Sequence, residues 1–377
     1  MNALDRYTDF RTYIASQFST KTQTMVDNAL CFAEQELSGK TRYDGSPMLD
    51  HGVMVARIVA QEIGLGRNST IAAIVHDVVR IAVQSHDSRL EELTSHIRNE
   101  YGEETLGIAL SLCKISDIKL KRSKEQASDF RDMIVSYSED PRVILVKLAD
   151  RLEVMRSLSI FPEKKRLSKS WESLNLYAEI AHKLGLYAIK SEMEDLSLKY
   201  IEPEAYNHIV AELKDSEKER MAFIEEFLAP VRKLLDEDGI KYHIKSRTKS
   251  VFSIYQKMKK QQVPFKGVYD IFALRIIIDC PLESEKRLCW TAYSHVTSLY
   301  TPNPKRMRDW ISIPKSNGYE SLHTTVVTDS GRWVEVQIRT ERMDEVAERG
   351  IAAHWRYKGV KQGGMGAEEW LQHLRKL

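Results

Sequence analysis

Apolar residues in the first part of the chain recur at helical spacing. Over 47–63 and 141–158 they return every three or four positions, which is the period of an amphipathic helix. Glycine and proline are sparse up to about residue 200, and no segment there alternates in the way that is typical of a strand. This part of the chain is therefore predicted to be all-helical.

The second part of the chain changes its period. Helical spacing returns over 217–238, 251–261 and 284–300, and shorter segments rich in β-branched and aromatic residues lie between these helices. The strand patterns are KYHIKSR, GVYDIFALRIIID, LHTTVVT and GRWVEVQIRT, and Asp329-Ser330-Gly331 between the last two is typical of a hairpin turn. Further helices are predicted from Glu341 and from Glu368. This alternation predicts an α/β domain around a mixed sheet.

The boundary between the two parts is predicted near 195–215, where Pro203 interrupts the helical pattern. We predict a helical domain over 1–200, with linking helices from about 135. An α/β domain is predicted over 201–377.

The composition excludes several classes of protein. Hydrophobic residues make up 42% and charged residues 29% of the chain, and the net charge of +2 argues against a general DNA-binding protein. No apolar run reaches the roughly 18 residues of a membrane span, and the N-terminus lacks the apolar stretch of a signal peptide. The four cysteines form no CxxC pair. These features predict a cytoplasmic protein with neither membrane nor DNA as a partner.

The segment 306–325, RMRDWISIPKSNGYESLHTT, combines the side chains that recognition of a phosphorylated purine needs. Cations attract phosphate, polar groups form hydrogen bonds, and an aromatic ring offers a surface on which a base can stack. In chain order these residues are Arg306, Arg308, Lys315, Asn317, Tyr319, Ser321 and His323. We therefore predict that this segment binds a nucleotide.

Two carboxylates are predicted to lie close together in the sheet. Alternation along RWVEVQIRT puts Glu335 on one strand face with Gln337 and Arg339, away from the apolar face. Asp270 stands at the start of a strand that is otherwise apolar. Two such carboxylates among cations suit Mg²⁺ and phosphoryl transfer, and one of them can accept a proton from a hydroxyl. A solvated polar face is the alternative for the Glu335 strand taken alone.

A basic segment, RTKSVFSIYQKMKK, begins ahead of the helix predicted over 251–261. Arg247 and Lys249 precede that helix, whereas Ser253 and Lys257 are four residues apart and share one helical face. A helix N-terminus beside cations is predicted to bind an anion. A solvated basic face is the alternative interpretation.

Four residues of the helical part form a candidate metal site. His76-Asp77 lies on an apolar helix, His51 on the preceding helix, and Asp150 in the motif KLADRL. A histidine on an apolar face is more often a core residue than a ligand, so the pair alone is weak. Two histidines with two aspartates, however, suit a Mn²⁺-type site.

Several long motifs follow one another along the second part of the chain. Through the order and length of these motifs, most of the chain resembles the catalytic half of the long RelA/SpoT homologues, the alarmone enzymes of bacteria. The motifs are RTKSVFSIYQKM, VYDIFALRIII, RMRDWISIPKSNGYESLHTT, VEVQIRT and AERGIAAHWRYK. The resemblance implies an all-α HD-type domain followed by a nucleotidyltransferase-like α/β synthetase domain. The implied reaction moves the β,γ-pyrophosphate of ATP to the 3′-hydroxyl of GDP or GTP, giving AMP and (p)ppGpp.

The resemblance also implies roles for the candidate residues. Asp270 resembles the Mg²⁺ ligand, and Glu335 resembles the second carboxylate, which helps to activate the 3′-hydroxyl. Tyr319 is expected to stack on guanine. The other implied nucleotide contacts are Arg247, Lys249, Ser253 and Lys257 for ATP, Asn317 and His323 for the acceptor, and Arg306, Arg308 and Lys315 for phosphates, with Gln337 beside them. Longer members of the family continue into regions that bind the ribosome, which would lie beyond this chain.

The family's helical domain hydrolyses (p)ppGpp, and His51, His76, Asp77 and Asp150 match its Mn²⁺ ligands. The chain departs from the hydrolase motif HDVVED, because Arg80 and Ile81 stand where the acidic pair is expected. Without that pair nothing obvious orients or deprotonates the attacking water, and Arg80 is expected to pair with Asp77. We therefore predict a hydrolase-inactive, regulatory domain. A bifunctional synthetase and hydrolase, and a non-catalytic alarmone sensor, are the alternatives.

Overall fold

The computed structural model describes residues 2–116, 140–268, 270–315 and 318–349. These residues belong to two compact units, which adjoin in sequence between Ile180 and Ala181. The helix predicted from Glu368 lies outside the described residues.

The sequence pattern places the domain boundary later than this division, at 195–215. The helix Tyr187–Ile201 belongs to the second unit, because its Leu198 packs in one apolar cluster with Ile254 and Phe265. The interruption at Pro203 is a helix start within that unit, since proline is tolerated in the first turn of a helix.

The first unit contains helices and no strand in its described residues, 2–116 and 140–180, as its apolar spacing predicts. A π-helical turn, Ile58–Ile63, continues α4, and another, Ser173–Tyr177, precedes α10. The helices are α1 Ala3–Arg6, α2 Thr8–Gln17, α3 Thr20–Glu36, α4 Met48–Arg57, α5 Arg67–Gln84, α6 Leu90–Tyr101, α7 Glu103–Ser116, α8 Pro141–Arg156, α9 Glu163–Glu172 and α10 Ala178–Lys183, which ends in the second unit.

The core of the first unit is built around α5, whose Ile71 and Ile74 are fully buried. Helix α4 approaches α5 closely because Gly52 has no side chain. A Cβ at this position would lie 3.0 Å from the carbonyl oxygen of Ile74, so a larger residue would push the two helices apart by a few tenths of an ångström. The approach brings the rings of His51 and His76 to 5.4 Å between their centroids.

The second unit combines helices with strands, as predicted. Among the described helices of the chain, none has the length and apolarity that crossing a membrane requires. The helices are α11 Tyr187–Ile201, α12 Pro203–Asp215, α13 Glu217–Glu237, α14 Val251–Gln261, α15 Glu285–Leu299 and α16 Glu341–Arg349. The strands are β1 Tyr242–Thr248, β2 Phe272–Ile278, β3 Thr301–Pro302, β4 Arg308–Asp309, β5 Leu322–Val327 and β6 Trp333–Thr340.

The strands form one sheet in the order β1-β2-β6-β5-β3, and β4 also pairs with β5. Strands β2 and β6 are parallel, whereas β5 and β6 form the predicted antiparallel hairpin. Gly331 in its turn has a φ of 78°, a conformation that favours glycine. The mixed sheet predicted from the sequence is therefore confirmed.

The two faces of this sheet differ in polarity. Apolar side chains such as Leu274 and Val336 form the core face, against which α13 and α15 pack. On the other face, the register places Arg275 beside Gln337, and Gln337 beside His323. A row of polar side chains therefore crosses three neighbouring strands.

Candidate functional site

A lysine joins the two predicted carboxylates of the second unit. Asp270 lies just before β2, and Glu335 lies on β6, next to Ala273 of β2 in the parallel register. The Lys249 ammonium lies 3.1 Å from Asp270 Oδ2 and 3.0 Å from Glu335 Oε2. The structure therefore brings both carboxylates to one point at the polar face of the sheet.

A second lysine, Lys257 on α14, also forms an ion pair with Asp270. Burial opposes ionisation of Asp270, but Lys257 and Lys249 outweigh it and lower the pKa of this carboxyl. Burial likewise raises the pKa of Glu335, and Lys249 more than compensates, so that the pKa is lowered overall. Both groups are thus ionised at neutral pH. Two ionised carboxylates side by side are suitable ligands for Mg²⁺. The two lysine ammonium groups lie where the positive charge of the ion would be.

The structure contradicts one part of the anion site predicted at the N-terminus of α14, because the backbone N–H groups there already have partners within the protein. The backbone N–H groups of Val251 and Phe252 donate to the carboxylate of Asp195 at 3.2 and 2.8 Å, and the N–H of Ser253 donates to Ser250 Oγ. Helix α11 therefore supplies the anion that caps this helix. The side chains of Ser253 and Lys257 stay predicted nucleotide contacts.

The polar row beside Glu335 is held by hydrogen bonds. Gln337 donates to Glu335 Oε1 at 2.9 Å and accepts from Arg275 Nε at 3.3 Å. Arg247 is half-buried near Arg275 and Arg339, and burial, together with these two guanidinium groups, lowers its pKa. Several cations therefore crowd this face, which is the environment that polyphosphate requires.

Tyr319, the predicted stacking ring, is only 7% exposed. The Lys315 ammonium lies 5.0 Å from the centroid of the Tyr319 ring and 5.0 Å from that of the Trp310 ring. Gly318 before it has a φ of 78° and forms part of the turn. Stacking of guanine on Tyr319 stays a prediction, and it requires movement of the side chains around the ring, among them Lys315 and Arg339. Asn317 lies outside the described residues.

His323 faces the Tyr319 hydroxyl at 2.7 Å. Arg339 Nη1, which can only donate, lies 3.4 Å from the same hydroxyl, so Tyr319 accepts from Arg339 and donates to His323 Nε2. Burial lowers the pKa of His323 to about 4. A neutral imidazole that accepts at Nε2 carries its proton on Nδ1.

The two predicted phosphate-binding arginines lie in different surroundings. Arg306 lines a cavity of about 280 Å³ together with Asp270 and Trp333. Arg308 lies beside His323 in the β4–β5 register, and its guanidinium donates to the backbone carbonyls of Lys305 and Met307. Arg306 therefore lies near a carboxylate, whereas the guanidinium of Arg308 forms hydrogen bonds within its own loop.

The first unit brings the predicted metal ligands together. His51, His76 and Asp77 are buried and present ligand atoms that lie within 4.8 Å of one another. Asp150 joins them through His51, whose Nε2 is 3.1 Å from Asp150 Oδ1. These residues line a cavity of about 880 Å³, which Arg42, Arg151 and Lys169, among other side chains, also line.

Two further charged groups surround this cluster. Glu153, only 4% exposed, accepts from Arg42 Nη2 at 2.9 Å and forms a hydrogen bond with Nδ1 of His51. Such a carboxylate fixes the orientation of a histidine ring. Arg80 donates through Nε to Asp77 Oδ1 at 2.7 Å, so the predicted pairing of Arg80 with Asp77 is confirmed.

Comparison with known proteins supports the assignment of both units. Residues 246–362 match the family model described as a region found in RelA/SpoT proteins, and residues 29–187 match an HD domain model.

The chain belongs to the RelA/SpoT family.

Its relatives in this family bear different names. It is 38% identical over 351 residues to a guanosine-3′,5′-bis(diphosphate) 3′-pyrophosphohydrolase of Aquifex aeolicus, covering 93% of this chain and 48% of the relative. It is 36% identical over 354 residues to the bifunctional (p)ppGpp synthase/hydrolase SpoT of Escherichia coli, covering 93% and 48%. Identity to a GTP pyrophosphokinase of Myxococcus xanthus is 38% over 354 residues, covering 94% and 45%. The chain thus spans about half the length of these relatives.

Three residues of the sites escaped the sequence patterns. Arg275 is the only charged residue in the strand FALRIII, which is a usable indication that it faces a polar site. Glu153 lies three residues after Asp150 on α8, so helical spacing places both on one face. Asp195 gave no local indication, because its partners are the backbone groups of a distant helix.

The state of His323 gives the first prediction. Its pKa of about 4 in the folded protein lies below the usual value of 6.5. Between these two pH values the unfolded chain binds more protons, so the free energy of unfolding decreases as the pH falls from 6.5 to 4. We expect His323→Gln to remove this part of the pH dependence in chemical unfolding experiments.

The matched control is His208→Gln, which replaces an exposed histidine on α12. Titration of the histidine ring protons by NMR measures His323 directly. A midpoint at or above 6.5 for His323 would contradict the burial argument.

Proposed function

We propose that the second unit is a pyrophosphotransferase that moves the β,γ-pyrophosphate of ATP to the 3′-hydroxyl of GDP or GTP. The carrying observation is that Lys249 holds Asp270 and Glu335 together at the cationic polar face of the sheet. Two ionised carboxylates among lysines and arginines suit a reaction whose substrates and transition state carry several negative charges.

Asp270 and Glu335 would hold Mg²⁺, which supplies positive charge to the phosphate oxygens when bound. The 3′-oxygen of the acceptor attacks the β-phosphorus of ATP, and the bond from that phosphorus to the oxygen it shares with the α-phosphate breaks. AMP leaves with this oxygen. Glu335, oriented by Gln337, accepts the proton of the 3′-hydroxyl.

Two different groups of residues would bind the two nucleotides. Lys249 and Lys257 form ion pairs with Asp270, Arg247 lies on β1 near Arg275, and we assign all three to ATP. Lys315, Tyr319 and His323 lie together around β5, and we assign them to the guanine nucleotide. We propose five further residues as nucleotide contacts: Ser253, Arg306, Arg308, Asn317 and Gln337.

For the first unit we propose a regulatory role without hydrolysis. Its support is the ion pair of Arg80 with Asp77, at a position where the hydrolase motif of the family requires an acid. A bifunctional enzyme is the second candidate, since the cluster of His51, His76 and Asp77 is intact and the relative from Escherichia coli is named a synthase/hydrolase.

We expect Asp270→Asn and Glu335→Gln each to lower kcat by about 10²-fold or more, because each removes charge from the point where the reaction occurs. The assay incubates ATP, Mg²⁺ and either GDP or GTP with the protein. Chromatography then separates AMP and the guanosine nucleotide that carries a 3′-pyrophosphate.

Matched controls are Asp279→Asn, at the exposed far end of β2, and Glu341→Gln, at the exposed start of α16. Near-normal turnover by either active-site variant would refute the roles proposed for the carboxylates. Folded wild-type protein that binds both nucleotides and forms no AMP would instead establish the sensor alternative.

Tyr319→Ala should raise KM for GDP or GTP by about tenfold, because stacking of a base on an aromatic ring contributes roughly 1–3 kcal/mol. The KM for ATP should change much less. Tyr319→Phe keeps the ring while losing the hydrogen bond to His323, and its KM for the acceptor should stay closer to the wild-type value. Equal increases in both KM values would show that Tyr319 does not select the acceptor.

The hydrolysis assay offers ppGpp and Mn²⁺ to the full chain. We expect no release of pyrophosphate, because no acidic pair follows Asp77 to orient water. The double variant Arg80→Glu, Ile81→Asp restores that pair and tests whether it alone is missing. Sustained turnover by the wild-type protein would establish the bifunctional alternative.

A further inference from the structure

Three carboxylates around His51 and His76 each have a cation of the protein as a partner. Asp77 Oδ1 lies 2.7 Å from Arg80 Nη2, and Asp150 Oδ2 lies 2.6 Å from Lys147 Nζ. Glu153 Oε1 lies 2.9 Å from Arg42 Nη2. These three cations equal the three carboxylates in charge even before His51, which contacts both Asp150 and Glu153, is counted.

The chemistry of the donor set alone would fit a divalent ion. His51, His76 and Asp77 converge, and Asp77 Oδ2 is buried without a hydrogen-bond partner among the described residues. The charge of the surrounding side chains, however, does not suit a divalent ion. A divalent ion beside Arg80 would add two positive charges to a buried cluster that is already balanced, and burial of unbalanced charge is costly.

Arg80 is held firmly in this position. Its Nε and Nη2 both lie 2.7 Å from the same oxygen of Asp77, and Nη1 donates to Gln84 one turn further along α5 at 3.3 Å. Asp77 itself is 1% exposed, so its charge cannot be solvated by water. Asp77 therefore needs a compensating positive charge, and the two Arg80 contacts at 2.7 Å are shorter than that of His76 Nε2 at 3.4 Å.

We propose that the Arg80 guanidinium takes the place of the divalent cation, so that the first unit folds without metal and binds Mn²⁺ only when Arg80 is removed. This inference deepens the proposed loss of hydrolysis by giving its electrostatic cause. It is measured without nucleotide, so it and the proposed function can fail separately.

The experiment compares the full-length wild type with Arg80→Ala, in excess chelator and in Mn²⁺. Mn²⁺ should shift the unfolding midpoint of the wild-type protein no more than that of Asp77→Asn, because any shift then comes from Asp270 and Glu335 of the second unit. Arg80→Ala should unfold at a lower temperature in chelator, because Asp77 is left uncompensated, and Mn²⁺ should raise its midpoint again. The electron paramagnetic resonance signal of free Mn²⁺ should show binding by the variant that is at least about tenfold tighter than by the wild type.

Three further variants keep the test decisive. Arg80→Lys retains the charge but loses one of the two nitrogen contacts with Asp77, so its affinity for Mn²⁺ should lie between those of the wild type and Arg80→Gln. Arg80→Gln retains most of the side-chain volume and should gain Mn²⁺ binding even if Arg80→Ala does not fold. Adding Asp77→Asn to Arg80→Gln should abolish the gain, which separates this site from Asp270 and Glu335 of the second unit.

Two results would overturn the proposal. One is Mn²⁺ binding at His51, His76 and Asp77 by the wild type that is as tight as in the Arg80 variants. The other is a failure of folded Arg80→Gln to bind Mn²⁺ more tightly than the wild type does.

Discussion

The ion pairs from Lys249 to Asp270 and Glu335 are the interaction on which the candidate site of the second unit depends. Parallel pairing of β2 with β6 puts these carboxylates at the same end of two adjacent strands, where they would repel each other without a cation. Lysine is suited to this role, since its ammonium is carried on a flexible chain and can move when another cation or a phosphate arrives.

The two units solve the same electrostatic problem in different ways. In the second unit, Lys249 and Lys257 are partly accessible side chains beside a polar face rich in cations. In the first unit, Arg80 is tied to the fully buried Asp77 and to Gln84 on its own helix. A metal ion displaces a lysine ammonium from a carboxylate more readily than it displaces a planar guanidinium that contacts the carboxylate through two nitrogens. This difference agrees with our proposals that the second unit transfers pyrophosphate and that the first unit does not hydrolyse ppGpp.

Local spacing predicted the elements well where the burial of side chains is periodic. The helix over 251–261 and the hairpin around Gly331 are as predicted, and the prediction that Arg80 pairs with Asp77 needed only the three-residue spacing of a helix. The helix N-terminus of α14 was assigned wrongly because Asp195 reaches it from another helix. The domain division also differs from the predicted boundary, because Leu198 contributes to the core of the second unit.

The sequence by itself determined the chemical inventory: two carboxylates, basic segments before and after them, and an HD pair followed by an arginine. Residue types, motif order and helical periodicity are properties of the local chain, so they can be seen without coordinates. Only the tertiary structure decided which charges meet. The parallel register of β2 and β6, the close approach of α4 to α5 at Gly52, and the partners of Asp195 all join segments that are distant in sequence. Such pairings depend on the packing of the whole core, and no local pattern encodes them.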